Sequence, residues 1–108
     1  MTIIIGSLRY RVELQARLRS PDEGGAGTVT WNAVASMFAQ IQPVSGREIV
    51  SADGLTGRVT HDVSIRFNRD VAPGMRFTEG SRRFIVHAAL DVDGRGRWLK
   101  CLCEERLP

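Results

Sequence analysis

At 108 residues, with 43% hydrophobic and 25% charged residues, the chain can build one hydrophobic core but not two, and it is too apolar for the composition of a disordered protein. Its net charge of +3 comes from fifteen basic residues, all arginine except Lys100, interspersed with twelve acidic ones. That mixture disfavours a dedicated nucleic-acid binder, while the arginines supply bidentate donors suited to subunit interfaces and phosphates.

The longest apolar stretch near the start, Ile3 to Ile5, falls far short of the ~20 residues that cross a bilayer, so no membrane role is expected. From Leu8 to Arg19, the residues Leu8, Tyr10, Val12, Leu14, Ala16 and Leu18 alternate with Arg9, Arg11, Glu13, Gln15, Arg17 and Arg19. A two-residue period predicts a strand with one buried and one charged face. At ~3.3 Å per residue it would reach roughly 35 Å, about twice the usual length, so it must bend round a barrel or project beyond one. The cluster Ser20-Pro21-Asp22-Glu23-Gly24-Gly25-Ala26-Gly27 then predicts an exposed loop over 20–30.

A second apolar run from Val34 to Gln42, closed by Pro43, reads as a strand whose inner face is ambiguous. Ser45 to Leu55 opens with a capping-type serine and places Ile49, Ala52 and Asp53 at helical spacing before Gly54 and Gly57, which predicts a short helix or a structured loop over 45–58. Val59, His61, Val63, Ile65 and Phe67 restore a strand period. Turns are expected at Pro73-Gly74, Glu79-Gly80-Ser81 and Asp93-Gly94, separating runs over Met75–Thr78, Arg82–Ala89 and Arg97–Glu105. The pattern predicts a mainly β fold: a small single-domain β-barrel of about six strands over 1–108, with one short helix or structured long loop.

Catalytic and metal chemistry find little support. His61 and His87 sit in separate strands without ligand spacing, and Cys101-Leu102-Cys103 lacks the spacer of redox and zinc motifs, which makes it core filling in a chain made in a reducing cytoplasm. Asp91 and Asp93 lead into a turn that accounts for them. The glycines at 24, 25 and 27 lack the lysine and hydroxyl of a phosphate loop. Trp31 and Trp98 stand alone rather than in an aromatic row on a basic face. No catalytic residue, metal or cofactor is expected.

The order of several segments carries a resemblance. Gly6-Ser7-Leu8-Arg9-Tyr10-Arg11-Val12-Glu13-Leu14-Gln15 is followed by a glycine-bearing loop and Trp31, then Ala39-Gln40-Ile41-Gln42-Pro43-Val44-Ser45-Gly46-Arg47-Glu48. His61-Asp62-Val63-Ser64-Ile65-Arg66-Phe67, Arg83-Phe84-Ile85-Val86 and Cys103-Glu104-Glu105 complete the series. Together they resemble the head-tail joining proteins, also called head-completion or stopper proteins, of long-tailed phages and gene-transfer particles.

The resemblance implies a β-barrel that assembles with itself, as a ring of about six or twelve copies, in the neck of a virion. Its implied neighbours are the portal and adaptor on the head side and a tail terminator or tail tube on the other, with DNA met only nonspecifically. A connection between two barrel strands reaches the channel in the family. Its counterpart here is the segment with Ser45, Gly46, Arg47, Glu48, Ile49, Asp53, Leu55 and Arg58, although this stretch is short. Arg9, Arg11, Arg17 and Arg19, with Asp22, Glu23 and Trp31, form the expected ring or docking surface. The competing expectations are a free-standing nucleic-acid-binding barrel of the OB or SH3-like kind and a tail-side joining protein of the same particle.

Overall fold

A computed structural model of the chain describes residues 8–20, 27–50 and 56–106. They form six strands: β1 (Tyr10–Ser20), β2 (Thr28–Val50), β3 (Thr56–Arg66), β4 (Arg76–Glu79), β5 (Arg82–Asp91) and β6 (Trp98–Arg106). All neighbouring pairs are antiparallel, and the order β1-β2-β3-β6-β5-β4 closes into a barrel where β4 meets β1 through Glu13, Leu14 and Gln15. The expected turns are present: Gly74, Gly80 and Gly94 all take the positive φ for which glycine was placed there.

The barrel interior is filled by alternate residues of the six strands. Val12, Leu14, Ala39, Val63, Ile65, Phe77, Phe84, Val86, Leu99, Cys101 and Cys103 form one buried cluster, joined by Val71. Both cysteines therefore fill core, as their position in an alternating strand predicts. Burial pushes the Cys101 thiol up to about 12 and the Cys103 thiol well above its ordinary value, because a thiolate in this apolar interior would lose its solvation.

β2 spans 23 residues, which at ~3.3 Å each would run roughly 75 Å if straight. The longest dimension of the molecule is 49 Å, so the strand bends, and two irregularities mark where. Across from Leu14 and Gln15 the partners jump from Ala35 to Ala33, leaving Val34 as a bulge. Between Pro43 and Arg47 the partners advance only from His61 to Val59, so Val44, Ser45 and Gly46 stand opposite Thr60 alone. Such extra residues kink a strand and increase its twist.

β2 thus belongs to two ribbons. Its first half pairs with β1 and its second half, from Gln40, with β3. Since the three strands are successive antiparallel neighbours, the β1–β2 connection and the β2–β3 connection leave opposite ends of the barrel.

Three expectations need correction. Residues 45–50 are strand, with Ser45 and Gly46 in the bulge and 47–50 paired rung by rung with 56–59, so a β-ribbon stands where a short helix or structured loop was expected, while residues 51–55, including Asp53 and Leu55, lie outside the described residues. A helix of barely two turns is marginal alone, and the β-branched Ile49 and Val50 gain a full ladder instead. The loop expected over 20–30 is narrower, because Ser20 ends β1 and Thr28–Thr30 already belong to β2. Asp22 and Glu23 lie outside the described residues. Finally, the inward half of β1 is not buried throughout: Val12 and Leu14 are, but Tyr10 and Leu18 are exposed, since Leu18 stands on the ribbon beyond the barrel wall.

Candidate docking surfaces at the two ends of the barrel

At one end the β2–β3 ribbon rises on four rungs, Arg47↔Val59, Glu48↔Arg58, Ile49↔Gly57 and Val50↔Thr56. Ser45, Arg47, Glu48, Val50 and Arg58 are exposed, and Ile49 is half-buried. The Arg58 guanidinium lies across Gly46, where a Cβ would sit 2.7 Å from Nη2. That approach sets the arginine along the bulge, and a side chain at position 46 would push the exposed guanidinium aside.

A side-chain clasp holds the root of this ribbon. The Glu104 carboxylate accepts the Arg58 backbone N–H at 3.1 Å and meets His87 Nε2 at 2.9 Å through the same oxygen. His87 is brought there by the β5 bulge between Val86 and Ala88. Its ring covers Gly57 so closely that an added Cβ would be 2.5 Å from Cε1. Burial alone would raise the Glu104 carboxyl, but the Arg58 N–H, His87 and Arg106 outweigh it and hold the group below the ordinary carboxylate range.

Inside the same mouth of the barrel, His61, Arg82, Phe84 and Glu105 close the core with polar groups. Arg82 Nε donates to Glu105 Oε2 at 2.8 Å and Arg82 Nη2 to Oε1 at 3.2 Å, the paired geometry that guanidinium and carboxylate favour. The guanidinium also stacks 4.8 Å from the Phe84 ring centre, and His61 meets that ring edge-on at 5.2 Å. The hydrogen bond from Arg82 depresses Glu105, while burial depresses His61 against the opposing pull of Glu105.

At the other end the β1–β2 ribbon extends beyond the last β4 contact, from Ala16↔Asn32 to Ser20↔Thr28. Trp31 lies at its base beneath the Arg76 guanidinium, 4.1 Å from the ring centre. Arg76 Nε donates to Gln15 Oε1 at 2.6 Å, and Gln15 Nε2 in turn donates to Glu13 Oε1 at 2.6 Å.

Of the four arginines singled out, Arg9 just precedes β1 while Arg11, Arg17 and Arg19 lie on it. Arg11 stands on the barrel wall, 5.6 Å from the exposed Phe38 ring, and Arg17 and Arg19 lie on the ribbon. All four are exposed, and the ion pairs among the described residues involve other side chains.

Sequence reasoning missed Arg76, Phe38 and the His87–Glu104 clasp. Phe38 points outward because the Val34 bulge resets the phase of β2, and a bulge leaves no simple signature in the periodicity. Among the described residues no cluster of histidine, cysteine and carboxylates has metal-binding geometry, and no helix is long and apolar enough to cross a membrane.

Comparison with known proteins agrees with this architecture. No curated protein sequence matches the chain. The chain is similar to a solved structure described as the virion of a native gene transfer agent particle, with 26% identity, a TM-score of 0.65 and coverage of 91% of this chain and 94% of that one. It shares its fold with protein SF1141 from Shigella flexneri 2a, at 22% identity and a TM-score of 0.68, covering 95% of this chain and 96% of that one. The sequence model of the phage head completion proteins matches residues 3–106, a span that contains every strand of barrel and ribbons, and the chain therefore belongs to the phage head completion protein family, structural components of the virions of phages and related particles.

Proposed function

We propose that this chain is a non-catalytic connector subunit that assembles as a ring at the head-tail interface, closes the filled head and offers the tail its attachment site. The observation that carries the reading is the bipolar geometry: one rigid barrel sends a ribbon from each end, so one subunit presents separate surfaces to a head-side and a tail-side neighbour. The portal or adaptor would meet one and a tail terminator or tube the other.

In this reading the β2–β3 ribbon, with Ser45, Gly46, Arg47, Glu48, Ile49 and Arg58, faces the channel. Its one acidic and two basic side chains on the described rungs nearly balance, which suits a wall past which DNA slides without a strong nonspecific grip. Arg9, Arg11, Arg17 and Arg19 pair with acidic groups of neighbouring subunits or adjacent rings, since exposed charges of this kind contribute only ~0 to 1 kcal/mol to the stability of a lone subunit.

The test is electron microscopy of particles produced without this protein, before and after purified protein is added. Separate filled or leaking heads and free tails, rejoined by the added protein, are expected. Fully joined particles in its absence would overturn the reading. Arg11→Glu with Arg17→Glu should block rejoining while leaving the isolated subunit folded. Tight, salt-sensitive oligonucleotide binding by the isolated chain would instead favour a nucleic-acid-binding barrel.

A further inference from the structure

Beyond the barrel the β1–β2 ribbon is two strands wide, so it carries a bare edge on each side. β1 meets β4 only through Glu13, Leu14 and Gln15, and β2 meets β3 only from Gln40 onward. Among the described residues, Ala16–Ser20 and Thr28–Asn32 therefore pair with each other and with no other strand. A lone two-stranded ribbon is marginally stable in water, and an unpaired edge is a template for another strand.

Proteins that must keep such an edge free guard it with charge, proline or a bulge. β2 carries none of the first two from Thr28 to Gln42: Thr28-Val29-Thr30-Trp31-Asn32-Ala33-Val34-Ala35-Ser36-Met37-Phe38-Ala39-Gln40-Ile41-Gln42 has no charged residue, no proline and no glycine. In a chain that is 25% charged this leaves the edge from Thr28 to Ala39, before β3 joins at Gln40, without a single charge. The β1 edge differs, since it bears Arg17 and Arg19. Both strands also expose apolar side chains on the ribbon, Leu18 at 50% and Val29 at 40%.

We propose that the bare β2 edge over Thr28–Asn32 receives the bare β1 edge, Ala16–Ser20, of a second copy of this chain, so that ribbons join edge to edge into one continuous sheet around the ring. The proposal rests on the ring reading and names the strand contact that builds it. On the ribbon the two bare edges lie on opposite sides, as head-to-tail repetition requires, and closure of such a ring covers both edges of every ribbon. A strand from an unrelated partner would cover one edge and leave the other.

Charge selects the same pairing. β1 against β1 would set Arg17 and Arg19 beside their own copies, and like charges across strands are destabilising. β2 against β2 gives a closed two-fold pair that leaves both arginine edges uncovered. The uncharged β2 edge accepts the arginine-bearing β1 edge without either penalty.

The test uses full-length protein in two stocks, Leu18→Cys and Thr30→Cys, with Asn32→Cys as an alternative to Thr30→Cys so that either strand register is sampled. All three positions are exposed, and the native Cys101 and Cys103 are buried, so they stay out of the oxidation. Heads lacking this protein are loaded with each stock alone or with a mixture, oxidised, and run on non-reducing gels. Cross-linked dimers are expected from the mixture and from neither stock alone.

Rings visible on the heads without cross-links in any mixture would overturn the strand pairing and leave the ring reading standing. Cross-links in the Thr30→Cys stock alone would also overturn it, by showing β2 against β2. Heads that hold DNA and accept tails with no protein added would remove the ring reading itself. Asn32→Lys provides a second arm: it should abolish rejoining while the melting temperature of the isolated subunit is unchanged, and full rejoining by this variant would overturn the proposal.

Discussion

Replacing Gly57 by alanine tests whether the clasp at the root of the β2–β3 ribbon holds it in place. A Cβ at this position would lie 2.5 Å from His87 Cε1, 2.6 Å from Nε2 and 3.2 Å from Glu104 Oε1, so the imidazole must leave its seat. Its neighbours give it little room, because His87 is 8% exposed and stands in a bulge. Displacement breaks the 2.9 Å contact with Glu104, which costs about 1.5–3 kcal/mol for a hydrogen bond to a charged group. An off-rotamer ring would add ~0.5–1.5 kcal/mol. Alanine recovers about 0.5–1 kcal/mol by its lower backbone entropy in a strand. The net expectation is a loss of roughly 1–4 kcal/mol.

Chemical denaturation of Gly57→Ala, His87→Ala and the double variant reads this as a cycle. With the imidazole gone the nearest remaining atom is Glu104 Oε1 at 3.2 Å, on a side chain His87 no longer holds. Gly57→Ala should therefore be close to neutral in the His87→Ala background, a coupling of about the size of the loss in the parent between residues in contact. Additive losses, or a Gly57→Ala protein as stable as the parent, would refute the clasp.

Three further outcomes follow from the interior and its mouth. Phe84 is fully buried between His61 and Arg82, so Phe84→Ala should cost ~3–5 kcal/mol, a large part of the roughly 5–15 kcal/mol that stabilises a domain; a thermal midpoint within a few degrees of the parent would contradict this packing. His61, Glu104 and Glu105 all titrate below their ordinary values, so the folded chain binds fewer protons than the unfolded one. Their contribution is complete above the ordinary histidine value of 6.5 and is lost as pH falls, first through His61 and then through the carboxylates below about 4.5. The urea midpoint should decline on acidification from about pH 7.5, less steeply in His61→Gln; a midpoint that rises would reverse the sign. Cys101 and Cys103 should resist maleimide at about pH 8 in the native state and react together on denaturation, and labelling of the native protein would show that the core opens.

What could be read from the sequence was whatever a single periodicity specifies. β1 and β3 each have one face in the core over most of their length, so their alternation survives as a pattern, and the turn glycines mark where the chain reverses. β2 resisted because its phase is reset at Val34 and again between Val44 and Gly46. Pro43 looked like the end of a strand, yet it pairs with His61 directly beside the second bulge, the kind of place where a strand tolerates a missing donor. Over 45–58 the helical spacing of Ile49 was real, but the outcome was decided by rungs to residues that local spacing does not see. The clasp was invisible for the same reason: His87 and Glu104 are seventeen residues apart, and only a bulge turns one toward the other.

The two ribbons differ in how the fold holds them, and that difference bears on assembly. The β2–β3 ribbon is tied to the barrel by a carboxylate that takes a backbone N–H and an imidazole together, so its position is set before any neighbour arrives. Among the described residues the β1–β2 ribbon has at its base the stack of Arg76 on Trp31 and the Gln15 bridge. Beyond that Arg17, Leu18, Arg19, Thr28, Val29 and Thr30 are exposed. Groups already held in place lose little entropy on binding, whereas groups ordered by the partner consume part of the interface energy. The clasped ribbon is therefore suited to a surface whose shape must be fixed in advance, such as a channel wall. The bare one is suited to a contact that forms only when another strand completes it.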